Sequence, residues 1–228
     1  MGRGVPGVPE ALLEVRRLTK RYRSGRGLQG VDLALPRGVI VALEGPNGSG
    51  KSTLLRCLAG LATYRGEVSL GGRPLDRSPA SRALVGYLPQ VPAFPAEAVV
   101  GEILDLFARL RGAELGDLPE GFLPGMSEPI GSLSEGQRHR VGLAVALLGD
   151  PPLLLLDEPL ANLDEAGRGT VRVVLRRRCD RGATAIVTSP SPTELEEVAD
   201  VLVRMAEGRI VGVEGLRRPD LDALGVGR

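Results

Sequence analysis

Apolar and polar positions along this chain follow three rhythms, and each predicts a kind of element. Residues 12–17 and 31–35 alternate with period two, as half-buried strands do. Between them Arg21, Tyr22, Arg23, Ser24 and Gly25 read as a turn carrying an aromatic ring. Uninterrupted apolar runs at 39–43 and 153–156 predict strands buried on both faces, as in a parallel sheet. Shorter strands are expected at 67–70, 85–88 and 184–188, and a closing hairpin at 201–205 and 209–213 about Glu207 and Gly208. Helical spacing appears at 98–111, where Val99, Ile103, Leu106, Phe107 and Leu110 share a face. Further helices are expected at 52–61, at 134–148 behind a capping Ser134, at 165–179 and at 192–199. Residues 1–10 read as a loose tail and 112–132, rich in glycine and proline, as loop. Strands alternating with helices give an α/β fold with a parallel sheet, and the early and late β pieces add a small antiparallel layer.

Composition narrows the partners. A chain of 228 residues, 43% hydrophobic and 25% charged, can bury a full core as one domain, here 11–228. A net charge of +1 gives no bulk attraction to a polyanion. Of the 29 basic residues only Lys20 and Lys51 are lysines, so 27 are arginines. Arg176, Arg177 and Arg178 end a helix, where cations suit the dipole, and with 3% aromatic residues no stacking platform accompanies them. Direct nucleic-acid binding is therefore not expected. Cys57 and Cys179 show neither metal nor disulfide spacing, which fits a reducing cytoplasm. No signal peptide is seen, and the longest apolar stretch, 141–156, is broken by Gly149, Asp150, Pro151 and Pro152. It is too short to span a bilayer, so any membrane association is expected through a partner.

Chemistry enters at Gly45, Pro46, Asn47, Gly48, Ser49, Gly50, Lys51, Ser52 and Thr53, which fit G-x-x-x-x-G-K-[ST] between a strand and a helix. Such a loop turns backbone N–H groups onto phosphate oxygens, with the helix N-terminus behind them. Lys51 is expected to reach the β- and γ-phosphates, and Ser52 to offer its hydroxyl to Mg²⁺. Asp157, delivered by four leucines, is a second Mg²⁺ ligand, and Glu158 beside it can deprotonate an attacking water.

Leu133, Ser134, Glu135, Gly136 and Gln137 complete a constellation that resembles the nucleotide-binding subunit of ABC transporters over residues 12–213. The family's usual signature is Leu-Ser-Gly-Gly-Gln, so Glu135 is a departure, harmless if its carboxylate points away from the triphosphate. The resemblance implies that Ser134, Glu135, Gly136 and Gln137 close on the γ-phosphate held by a second nucleotide-binding subunit. It assigns Tyr22 to adenine stacking, Gln90 to Mg²⁺ and the catalytic water, and Asp164 to contacts across the dimer. It also implies that residues 91–150 form a helical subdomain, shorter than is usual, that couples to transmembrane permease subunits.

The largest departure follows Thr188. The family places a γ-phosphate-sensing histidine there, whereas this chain has Ser189. Its one histidine, His139, lies in the signature helix and reads as a surface or interface residue. The expected function is ATP-driven transport on the cytoplasmic face of a membrane, with hydrolysis slowed at any site relying on Ser189. The chain's end soon after the last hairpin leans this towards export. Two other functions fit the motifs: a soluble ABC-type ATPase, and a nucleotide-gated subunit that scarcely hydrolyses. The compact segment between Lys51 and Ser134 disfavours the chromosome and repair relatives, which carry long insertions there.

Overall fold

The computed structural model describes residues 11–116, 118–189, 195 and 197–217. Two sheets stack on a shared core. The smaller, antiparallel sheet has the order β2 (Gly27–Pro36), β1 (Ala11–Arg21), β4 (Arg65–Leu70), β5 (Arg73–Pro74). The larger runs β10 (Arg209–Gly215), β9 (Val201–Ala206), β3 (Ile40–Glu44), β8 (Thr184–Thr188), β7 (Leu153–Asp157), β6 (Val85–Leu88). All its strands are parallel except β10, which returns antiparallel along β9.

Alternation along the buried strands explains the layers. Leu153 and Leu155 of β7 pack with the smaller sheet and helix α1 (Lys51–Leu58). Leu154 and Leu156 face the opposite way, into α3 (Val100–Arg111), α4 (Glu135–Leu147) and α5 (Glu165–Asp180). Each such leucine contributes roughly 1.5–3 kcal/mol when fully buried, which is why the four-leucine run sits between two other strands. Two expectations shift. Helix α1 stops at Leu58 rather than 61, because Gly60 turns left-handed (φ 70°) and ends it. A short helix, α2 (Pro79–Ala83), was not anticipated; Ser78 caps it, accepting from the Ser81 N–H, and Pro79 opens it. Most of the helix expected at 192–199 lies outside the described residues.

Long-range polar contacts hold the site's strands in place. The Gln29 N–H donates to the Gly208 carbonyl at 2.8 Å, and the Gly208 N–H to the Ser49 carbonyl at 2.9 Å, so the closing hairpin braces both β2 and the glycine-rich loop. Arg176 does more than end a helix. Its guanidinium meets Asp200 at 2.8 Å and the Gly38 carbonyl at 3.0 Å, while Asp200 also accepts from the Ile40 N–H at 2.8 Å. Arg178 is buried against Asp150. Two arginines of the triad therefore clamp α5 to the sheet.

Candidate functional site

Loops collect at the carboxyl ends of β3, β8 and β7, where an open parallel sheet builds its sites. The loop after β3 wraps closely. A Cβ on Gly45 would stand 2.2 Å from the Met205 carbonyl oxygen, and its φ of 145° bars side chains in any case. Lys51 folds over the loop, its Nζ donating to the Gly45 carbonyl at 2.6 Å. Gly45, Pro46 and Ser49 form the base of the loop, and the buried Ser49 Oγ has no hydrogen-bond partner.

Beside the loop opens a cleft of about 470 Å³. Asn47, Gly48, Gly50, Lys51, Ser52 and Thr53 line it, and Gln90, Asp157 and Glu158 face them. Tyr22 enters from the β1–β2 turn, with the Lys20 ammonium 5.1 Å from its ring centroid. A cation at that distance is attracted to the face of the ring. Arg26, also lining this cleft, was not singled out from the sequence; its place immediately before a strand of the smaller sheet gave no signal.

Signature residues stand apart. Ser134, Gly136, Gln137 and Asp164 line a second cleft, also of about 470 Å³, together with Arg140. Ser134 caps α4, its Oγ accepting from the Gln137 N–H at 3.2 Å, while the Gln137 side chain accepts from the Ser134 N–H at 2.9 Å. Asp164 caps α5 in the same manner, accepting from the Gly167 N–H at 2.8 Å. Glu135 is exposed at the first turn of α4, where a carboxylate suits the dipole, and it does not line the cleft. A Cβ on Gly136 would stand 2.5 Å from the Asn162 carbonyl oxygen, so the two loops touch. The two groups of motif residues thus line different clefts.

Polar groups at the strand ends form a chain of their own. Thr188, ending β8, donates to Asp157 Oδ1 at 2.7 Å and accepts from the Glu158 N–H at 2.9 Å. Glu158 has a left-handed backbone (φ 56°), unusual outside glycine. Ser189 is buried just beyond Thr188 and does not line the cleft. His139 corrects the sequence reading: it is buried, because α4 is enclosed from Val141 to Leu147 and the imidazole turns inward with it. Burial lowers its pKa below the usual histidine value. Both thiols are inert for the same reason, burial raising Cys57 to about 11 and Cys179 to about 12.

A metal ion at the first cleft would meet oxygen donors only. The described residues contain no cluster of three histidine, cysteine or carboxylate side chains. One carboxylate, one hydroxyl and one amide, from Asp157, Ser52 and Gln90, suit Mg²⁺, which keeps waters and takes phosphate oxygens.

A family model described as "ABC transporter" matches residues 28–161. The chain belongs to the ABC transporter family. The phosphonates import ATP-binding protein PhnC 1 of Natronomonas pharaonis is 35% identical, over 93% of this chain and 99% of its own. The SkfA peptide export ATP-binding protein SkfE of Bacillus subtilis is 31% identical, over 88% and 87%. A solved ATP-binding subunit of an ABC transporter superposes with a TM-score of 0.79 at 28% identity, covering 93% of this chain and 97% of that one. Against other curated relatives in the family the chain spans 57–69% of their length. No helix among the described residues is long and apolar enough to cross a membrane.

If Tyr22 stacks on a base, Tyr22→Ala loses about 1–3 kcal/mol, so the Kd for ATP rises roughly fivefold or more. Equilibrium dialysis of the variant checks this, and an unchanged Kd removes Tyr22 from the site.

Proposed function

We propose that this chain is an ATP-hydrolysing subunit of a membrane transporter, working as a pair. The carrying observation is the split of its motifs between two clefts. Phosphate-loop residues line one and signature residues the other, so each nucleotide would be enclosed only when the first cleft of one chain meets the second cleft of another. Lys51 and the loop N–H groups bind the polyphosphate, Tyr22 takes the adenine, and Ser134 and Gly136 of the second subunit cap the γ-phosphate. Ser52, Asp157 and Gln90 would hold Mg²⁺, which offsets the charge on the β- and γ-phosphates. Glu158 takes a proton from water as the new O–P bond forms and the bond from the γ-phosphorus to the bridging oxygen breaks, leaving ADP and phosphate. Thr188 fixes the direction of Glu158 by holding its N–H.

The reading is tested by sedimentation. With Mg²⁺ and ATP the Glu158→Gln protein is expected to move from a 24.0 kDa monomer to a dimer, and Ser134→Arg to prevent it. A Glu158→Gln protein that binds ATP and stays monomeric would sink the pairing. Named relatives run in both directions, phosphonate import and peptide export among them. Export, the direction expected from the sequence, requires ATP-dependent accumulation in inside-out vesicles carrying this chain and its permease.

A second reading has one observation behind it. Ser189 is buried and does not line the nucleotide cleft. This favours a subunit that binds ATP firmly and hydrolyses it slowly, with closure rather than turnover as its main output.

A further inference from the structure

Tyr22 and the phosphate loop line one cleft but belong to different sheets. Tyr22 sits in the β1–β2 turn of the smaller sheet, and the loop follows β3 of the larger one. A ligand that reaches from the ring to the loop needs their separation fixed. The two sheets meet at the β9–β10 turn, Glu207 and Gly208, whose φ values of 48° and 77° are those a two-residue hairpin loop requires. On one side of the turn the Gly208 N–H donates to the Ser49 carbonyl at 2.9 Å, and a Cβ on Gly50 would stand 3.4 Å from the Gly208 Cα. On the other side a Cβ on Gly208 would collide with the Gly27 carbonyl, just past the turn that carries Tyr22.

Gln29 holds this turn at three consecutive residues. Its backbone N–H donates to the Gly208 carbonyl at 2.8 Å, its Nε2 donates to the Glu207 carbonyl at 2.8 Å, and its Oε1 accepts from the Arg209 guanidinium at 3.0 Å. The amide is satisfied at both ends in a single orientation, because a carbonyl takes only its donor and a guanidinium only its acceptor. Gln29 is exposed and does not line the nucleotide cleft, so contact with a ligand does not explain it. We propose that Gln29 is a positioning residue: through the turn of Glu207, Gly208 and Arg209 it sets the span between Tyr22 and the phosphate loop. Fixing that span before ATP arrives removes an ordering cost from binding. This rests on the reading that Tyr22 takes the adenine and the loop takes the phosphates. Gln29 does not touch ATP; it acts through the turn.

The test is a double-mutant cycle on ATP affinity, measured by equilibrium dialysis with thermal melting as the control for folding. Its four proteins are wild type, Tyr22→Ala, Gln29→Leu and the two substitutions together. Gln29→Leu removes both side-chain hydrogen bonds and leaves the backbone one. It is expected to raise the Kd for ATP roughly three- to tenfold, the scale of one or two exposed hydrogen bonds. In the Tyr22→Ala background, where there is no ring left to place, the same substitution should change Kd by less than about twofold, since its effect is shared with Tyr22. The kcat at saturating ATP should stay within about twofold, because the loss lies in binding. A folded Gln29→Leu with wild-type Kd overturns the proposal. So does an equal loss in both backgrounds, which would place the effect in the phosphate loop alone, or a fall in kcat that matches the fall in affinity. An unchanged Kd in Tyr22→Ala by itself defeats the adenine reading, and the proposal with it, without reference to Gln29. Should Gln29→Leu not fold, Gln29→Ser, too short to reach either partner, takes its place in the cycle, and the same outcomes decide.

Discussion

Replacing Glu158 with glutamine is expected to lower ATP turnover by about 10²–10⁴-fold while ATP affinity changes little, since general-base catalysis contributes on that scale. The two parts of the expectation have separate origins. Glutamine keeps the length and shape of the side chain but cannot accept the proton of the attacking water. Affinity is proposed to rest instead on Lys51, the loop N–H groups and Tyr22, which line the same cleft. The peptide grip on Glu158 from Thr188 uses only its backbone N–H, so the substitution leaves it intact. Single-turnover release of phosphate, measured beside fluorescent-nucleotide binding, separates the two. Equal loss of binding and turnover would move Glu158 from chemistry to nucleotide holding.

Ser189→His has the opposite sign. A missing transition-state donor costs about 2.7–4 kcal/mol, or roughly a hundred- to a thousandfold in rate. Restoring an imidazole at the end of β8 is therefore expected to raise kcat towards that factor, with Glu158→Gln in the same background abolishing the gain. The present serine is buried beside a threonine that itself holds Asp157 and Glu158. The gain requires that the imidazole reach the cleft, where a γ-phosphate would lie. Ser189→Ala supplies the complementary measurement. If wild type already turns over at an ordinary rate and Ser189→Ala leaves it unchanged, position 189 does not limit hydrolysis.

Much of the scaffold was legible because buried parallel strands announce themselves. The leucines at 153–156 and the run at 39–43 place β7 and β3, and a capping Ser134 places the start of α4 to the residue. The phosphate loop was legible for a different reason: its spacing is dictated by what a phosphate can accept. What escaped were positions defined by neighbours remote in sequence. Thr188 reads as one more strand residue until β8 is known to lie between β3 and β7, which puts its hydroxyl between two carboxylate-bearing residues. His139 looked like a surface residue because a polar side chain in a polar first half of a helix normally is one. Only the packing of α4 against β6 and α3 turns it inward. The ion pairs of Arg176 and Arg178 escaped for the same reason, since Asp200 and Asp150 lie in other segments.

The close fit of Gly136 under Asn162 bears on how this protein can drift in sequence. A methyl group there would collide with the chain's own backbone before any second subunit arrived, so a loss-of-function variant at 136 reports a misfolded edge and says nothing about affinity for the partner. Glu135, one residue earlier and open to water, can vary at little cost. Mutational surveys of this signature should therefore score the two neighbours on different scales, melting temperature for the glycine and cooperativity for the glutamate.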